Sequence, residues 1–349
     1  MEHNFVYSLF GENVWTLLIV AALPLVFILP YALVAILGEL KISAWMQDRV
    51  GPMRTGWKGV LQPIAEVLKL LQKEDITPAG ANKPLFNIAP FLAFTAAYAA
   101  YAAIPFSSVF IPAGLNIGLF YIFAIGSFGV LAIIMGGWAS NNKYSVLGAM
   151  RAASQMISYE IPIAVTLLTI ATLAGSLNIQ EIIRQQGGGF WNWNILGGYG
   201  GWEKAWVVPF MIVMSLIYFI ASLAETNRTP FDIPEGESEL VAGYHTEYSG
   251  MKFAMFFFAE YANMFVVAAL LTVMFFGGWQ SPFGDILNGP IWQIVWFITK
   301  GMAFVFLQIW LRWTLPRLRV DQLMYTSWKV LLPVSFVCFL AISLWAMIR

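Results

Sequence analysis

The sequence is poor in the residues that build redox and metal centres. It holds one cysteine, Cys338, set in an apolar run, and two histidines, His3 and His245. An iron–sulfur cluster needs several thiolates, so an intrinsic cluster is excluded, as is an internal disulfide. With two histidines, a pair of axial haem ligands on facing helices is not expected. Charge is scarce as well: 11% of residues are Asp, Glu, Lys or Arg, against roughly 25% in a soluble domain. The formal net charge is zero, so no electrostatic footprint for nucleic acid appears. No Lys or Arg precedes Val14. The N-terminus therefore lacks the basic segment of a secretory signal, and its first apolar run reads as a retained helix.

Apolar sequence is abundant, at 59% of residues. Runs fall near 14–38, 89–106, 117–138, 157–175, 205–223, 252–276, 291–313 and 329–348. Each is close to the roughly 20 residues that one bilayer crossing requires. In an open chain only helices satisfy their backbone hydrogen bonds in lipid. The expected fold is all-α, a polytopic membrane bundle of about eight transmembrane helices forming a single membrane domain over 1–349. Loops 39–88, 139–156, 224–251 and 314–328 then share one side. With the helix ends at Lys252, Arg312 and Lys329, that side carries 15 Lys and Arg, against three (Arg184, Lys204, Arg349) on the other; Lys300 lies within a span. The bias places the charged loops in the cytoplasm of a cell with this protein in its inner membrane. The opposite side carries GGGFWNWNILGGYGG at 187–201. It follows no strand and precedes no Lys-Ser/Thr, so it reads as an interfacial aromatic loop rather than a nucleotide loop.

Residues 60–73, VLQPIAEVLKLLQK, differ from the spans. Val60, Leu61, Ile64, Val67, Leu68 and Leu71 recur on one helical face, with Gln62, Glu66, Lys69 and Lys73 on the other. Pro63 fits the first turn. Such a helix suits the plane of the membrane interface; packing on a soluble core is the competing reading, and this chain has no soluble core to supply. A flat helix beside a bundle can frame an opening for a lipid-soluble substrate.

Ionisable groups inside a bilayer are costly and mark function. Glu160 is placed at the cytoplasmic start of the fourth span, Glu260 about two turns into the sixth, and Lys300 deeper in the seventh. Glu160 can also be an interface residue reaching water, and Lys300 a snorkelling or paired structural charge. The loop over 224–250, AETNRTPFDIPEGESELVAGYHTEYSG, holds Glu225, Asp232, Glu235, Glu237, Glu239 and Glu247 with one base, Arg228. An ordinary solvated acidic loop is the bland reading. Against it stand the loop's Pro, Phe and Tyr content, its place on the positively flanked side, and its run into the span of Glu260. Carboxylates crowded at a low-dielectric boundary raise one another's pKa and titrate as a set. The residues alone thus point to a proton- or cation-handling bundle, without a substrate.

Several strings resemble a known family, the H-type membrane subunit (subunit 1 in mitochondria) of proton-pumping NADH:quinone oxidoreductase, respiratory complex I. They are GELKISAWMQDRVGP at 38–52, LQPIAEVLKLLQKED at 61–75, RAASQMISYE at 151–160, the acidic loop at 224–250, FFFAEYANM at 256–264 and RWTLPRLRVDQLMYTSWKVLLP at 312–333. Leu40 and Met53 depart from the usual family residues. The resemblance implies a quinone chamber opening near the first span, the interfacial helix and the sixth span. It implies Gln47, Arg49 and Arg54 at the chamber mouth. It implies proton-coupling roles for Glu160, Glu225, Arg228, Asp232, Glu235, Glu237, Glu239, Glu247 and Glu260, with Lys300 and Arg312 as basic partners. It implies no cofactor bound by this chain: quinone is the substrate, and NADH, FMN and the iron–sulfur clusters belong to partner subunits. The related membrane component of a membrane-bound hydrogenase and a self-contained proton-coupled transporter are the alternatives; a purely structural anchor fits poorly with Glu260 and the acidic loop.

Overall fold

The computed structural model describes residues 11, 13–198, 202–234, 236–284 and 286–348. Among them there is no strand. Eight helices are long and apolar enough to cross a membrane. They are α1 (Val14–Met46), α3 (Lys83–Ala100), α4 (Gly118–Ala139), α5 (Lys143–Ala174), α7 (Val208–Glu225), α8 (Gly250–Phe275), α9 (Pro290–Thr314) and α10 (Val320–Ile348). Two shorter helices join them, α2 (Gln62–Gln72) and α6 (Ile179–Gln185). Pro24 and Pro30 lie inside α1, Pro90 inside α3 and Pro162 inside α5; a membrane helix tolerates them because neighbouring helices satisfy the freed carbonyls. α8 is the central strut, with nearly all of residues 259–275 buried. Its neighbours are tied to it by groups such as Tyr101, whose hydroxyl donates to the Ala262 carbonyl at 2.8 Å.

Three boundaries differ from the sequence expectation, for one reason: polar helical residues continue a crossing when the bundle supplies their partners. α1 runs on to Met46, so Glu39 and Lys41 are helical rather than loop residues. α5 begins at Lys143, capped by the Asn142 side chain accepting from the Tyr144 amide at 2.9 Å. Residues 143–156 are therefore helix, not loop, and Glu160 lies roughly 25 Å along α5 at 1.5 Å per residue instead of at its start. The added length packs against the turn at 243–245, where a Cβ at Gly148 would fall 2.7 Å from the Gly243 Cα. α10 begins at Val320 and passes through a π-helical stretch at Thr326–Leu331, where Ser327 Oγ donates to the Ser158 carbonyl at 2.6 Å.

α2 has its stripe of apolar residues turned outward. Val60, Leu61, Ile64, Val67, Leu68 and Leu71 are all exposed, while Pro63 is buried and Glu66 and Leu70 are half-buried. A helix on a soluble protein shows the reverse. The loop leading to α2 is held against α1 by Lys41, whose Nζ donates to the Pro52 carbonyl at 2.5 Å. Gly59 is required there: its φ is +81°, and a Cβ would sit 2.0 Å from the Pro52 carbonyl oxygen.

Candidate functional site

Glu39 is the centre of the buried charges. Three segments converge on its carboxylate. Arg228, from the loop after α7, places Nη1 3.2 Å from both carboxylate oxygens. Arg312, near the end of α9, donates to Oε1, and the Tyr261 hydroxyl of α8 donates to Oε2. The Arg228 guanidinium also lies 4.6 Å over the Tyr261 ring. Burial, the largest single influence on Arg228, works against its charge; Glu39, Tyr261 and Glu260 outweigh it and hold the pKa above the usual arginine value. Arg228 is thus charged in the folded protein, and two guanidiniums, those of Arg228 and Arg312, converge on the one carboxylate of Glu39.

Sequence reasoning passes over Glu39 because the apolar run stops at residue 38. A signal is present all the same: Ile28, Tyr31, Ala32, Ala35, Glu39 and Ser43 recur at helical spacing, and all are buried. That stripe continues the core-facing side of α1 through the acid.

The turn that presents Arg228 is fixed from α5. Gln155 Nε2 donates to the Ala224 carbonyl at 2.8 Å and to Asn227 Oδ1 at 3.1 Å. Arg228 N donates to the Leu223 carbonyl at 3.1 Å, and Asn227 takes a positive φ of 50°.

Among the described loop acids, Asp232, Glu239 and Glu247 are held at three separate places rather than against one another. Asp232 offers its carbonyl to Arg317 Nη2 at 2.7 Å. Glu239 accepts from Arg151 of α5 at 2.5 Å, which holds its carboxyl below the ordinary value. Glu247 accepts from Asn142 Nδ2 at 2.6 Å. Glu235 and the side chain of Glu237 lie outside the described residues, although the backbone of Glu237 begins the one-turn helix Glu237–Leu240.

Two interior acid stations follow. Glu260 of α8 accepts from the Tyr244 hydroxyl at 2.6 Å, with His245 Nε2 3.5 Å away. His245 is itself buried against Phe253 and Phe256. The sequence alone gives this histidine no role beyond arguing against haem. Glu160 accepts from Ser127 Oγ at 2.6 Å and lies within electrostatic reach of Glu225. Glu225 lines an internal cavity of about 30 Å³, together with Gly126, Gly129, Tyr218 and Asn263. That volume exceeds the roughly 10–15 Å³ that one water needs.

Other expected residues sit apart from this cluster. Arg49 donates to Gln47 just beyond α1, and Arg54 is exposed in the loop before α2. Lys300 is brought to no acid among the described residues. Its ammonium donates to the carbonyls of Phe276, Gly278 and Gln280 at 2.8, 3.1 and 2.7 Å, over the Trp193 ring at 4.3 Å. Those three bonds use all three of its donors. No group of His, Cys, Asp and Glu suited to a metal ion occurs among the described residues. The site is therefore suited to holding and passing charge: a hub of two arginines on one carboxylate, two half-buried carboxylate stations and a cavity at one of them.

The sequence matches the family described as NADH dehydrogenase over residues 18–343. It is 54% identical over 340 residues to a protein of Chlorobaculum tepidum named as the H subunit of NADH-quinone oxidoreductase, covering 94% of this chain and 92% of that one. The protein of the same name in Chlorobium luteolum is 53% identical, covering 94% and 89%. A protein of Cytophaga hutchinsonii, named as the second H-type subunit of the same enzyme, is 45% identical over 353 residues, covering 92% and 96%.

Proposed function

We propose, from the premise that this chain belongs to the NADH dehydrogenase family as an H-type membrane subunit of NADH-quinone oxidoreductase, that it houses the quinone chamber and couples quinone reduction to proton movement. The observation carrying this reading is the Glu39–Arg228–Arg312–Tyr261 hub. A quinone that gains electrons before protons becomes anionic, and the paired guanidiniums of Arg228 and Arg312 favour that anion. Any negative charge near Arg228 competes with Glu39 for the guanidinium, and a carboxylate that loses its cation binds a proton more readily. The hub thus converts an electrical event at the loop into a proton event at Glu39. Glu260, Glu225 and Glu160 are the next stations inward, and the cavity beside Glu225 gives room for a water to carry the proton between side chains.

Other parts of the chain fit the same reading. The outward apolar stripe of α2 lies in the membrane interface beside α1 and α8, and the opening it frames admits a lipid-soluble quinone; Gln47, Arg49 and Arg54 stand at that mouth. The charged loops face the cytoplasm, with the protein in the inner membrane, where peripheral partner subunits bearing flavin and iron–sulfur clusters deliver electrons from NADH. The test is Glu39→Gln in the assembled enzyme. Quinone-linked NADH oxidation falls by roughly ten-fold or more, as expected when a group contributing over 1.4 kcal/mol to the step is lost. NADH oxidation by an artificial acceptor is unchanged. A full quinone-linked rate in this variant overturns the assignment of the hub.

A further inference from the structure

At the end of the bundle away from the charged loops, a cleft of about 640 Å³ lies among three helix C-termini. Residues 172–175 close α5, Arg184 and Gln185 end α6, and Trp345 and Ala346 approach the end of α10. A second hollow of about 200 Å³ adjoins it between the start of α7 and α10, lined by Trp206, Phe210, Ala341 and Ile342 among other apolar residues. Trp345 belongs to the walls of both.

The two hollows have different chemistry. The larger one places the Arg184 guanidinium among helix ends. Arg184 forms no ion pair among the described residues. The last carbonyls of a helix lack intrahelical partners and carry partial negative charge. At α5 the chain turns through Gly175 at φ 67°, and Gln185 Nε2 takes the Ala174 carbonyl at 3.0 Å, which leaves the last-turn carbonyls of Thr172 and Leu173 to the cleft they line. The cleft therefore offers a cation for an anion and carbonyl oxygens for a hydrogen-bonding cation, side by side. The smaller hollow offers only apolar surface. Trp206, 77% exposed at its edge, is the residue type that anchors at a membrane interface.

We propose that this pair of hollows is a binding site for a phosphatidylethanolamine-type lipid. The phosphate pairs with Arg184, the primary ammonium donates to the helix-terminal carbonyls, and one acyl chain fills the slot between α7 and α10. The headgroup preference follows from hydrogen bonding: a choline headgroup has no N–H to donate, and a glycerol headgroup brings no cation to the carbonyls. The proposal is independent of the charge hub.

The test uses the purified complex in nanodiscs holding equal parts of the ethanolamine, choline and glycerol phospholipids, with one class at a time carrying a photoactivatable acyl chain. The ethanolamine probe labels peptides spanning 206–210 and 341–346 and exceeds the other two by about ten-fold, the ratio for one charge-assisted hydrogen bond. Arg184→Gln lowers that labelling by a similar factor, and Ala341→Trp, which fills the slot, abolishes it. Equal labelling by all three classes, no labelling at these peptides, or unchanged labelling in Arg184→Gln overturns the proposal. If either variant fails to assemble, the headgroup comparison on the unaltered complex decides by itself.

Discussion

Replacing Arg228 by Gln removes the guanidinium that reaches both oxygens of Glu39 at 3.2 Å and covers the Tyr261 ring at 4.6 Å. Deleting one partner of a buried ion pair costs about 3–5 kcal/mol, because the other charge stays buried. Glu39 keeps Arg312 and Tyr261, so Arg228→Gln falls near about 3 kcal/mol on that scale. Glu39→Gln is worse: it leaves Arg228 and Arg312 facing each other without their carboxylate, and its cost falls near about 5 kcal/mol. The double variant removes one charge of each sign and leaves two amides able to bond one another. Its cost is below the sum of the singles by roughly 3 kcal/mol, the upper range for directly coupled residues. With Arg228 gone, the remaining repulsion between the two arginines is relieved as well, so the double variant is no less stable than Glu39→Gln alone. The assay is quinone-linked or artificial-acceptor activity remaining after graded heating of the purified complex, alongside the amount of this protein in the membrane. If the double variant is the least stable of the three, or if the costs simply add, Glu39 and Arg228 do not share a buried pair and the hub is wrong.

Three further outcomes follow from other parts of the structure. Gly129→Ala puts a Cβ where no atom lies within 4 Å, in the wall of the Glu225 cavity. The helix gains about 0.5–1 kcal/mol from losing a glycine, so heat resistance is kept or raised, while proton translocation per quinone reduced falls; unaltered translocation shows that the cavity carries no proton. Gly59→Ala, strained at φ +81° and blocked by the Pro52 carbonyl at 2.0 Å, lowers the amount of assembled complex in membranes, and wild-type assembly refutes the loop geometry. The Arg151–Glu239 pair holds Glu239 with a depressed pKa. Its contribution is fully present above the ordinary carboxyl value and is lost only as pH falls through the depressed one. Arg151→Gln therefore leaves the pH profile between about 6 and 8 unchanged, and a shifted profile in that window contradicts the assignment.

The crossings are legible in the sequence because long apolar runs have one structural solution in lipid. The end of α1 and the start of α5 are not, since those turns are polar and their partners come from distant sequence: Glu39 meets Arg228 and Arg312, and the start of α5 meets the 243–248 turn. Glu260 is legible as a short acid inside a span. Its partners Tyr244 and His245 are not, because they sit in a loop whose acids dominate its reading. Spacing in sequence misleads for Glu239 and Glu247, which look clustered and instead face Arg151 and Asn142. The outward stripe of α2 is visible as a pattern, but only its packing shows which face the bundle takes.

The most direct measurement is proton translocation per quinone reduced, recorded in proteoliposomes of the whole enzyme carrying Glu225→Gln, which removes a carboxylate while leaving the Glu39 hub intact. The account predicts that fewer protons cross for each quinone that is still reduced. An unchanged ratio at an unchanged rate contradicts the claim that charge gathered at the hub leaves through this buried station.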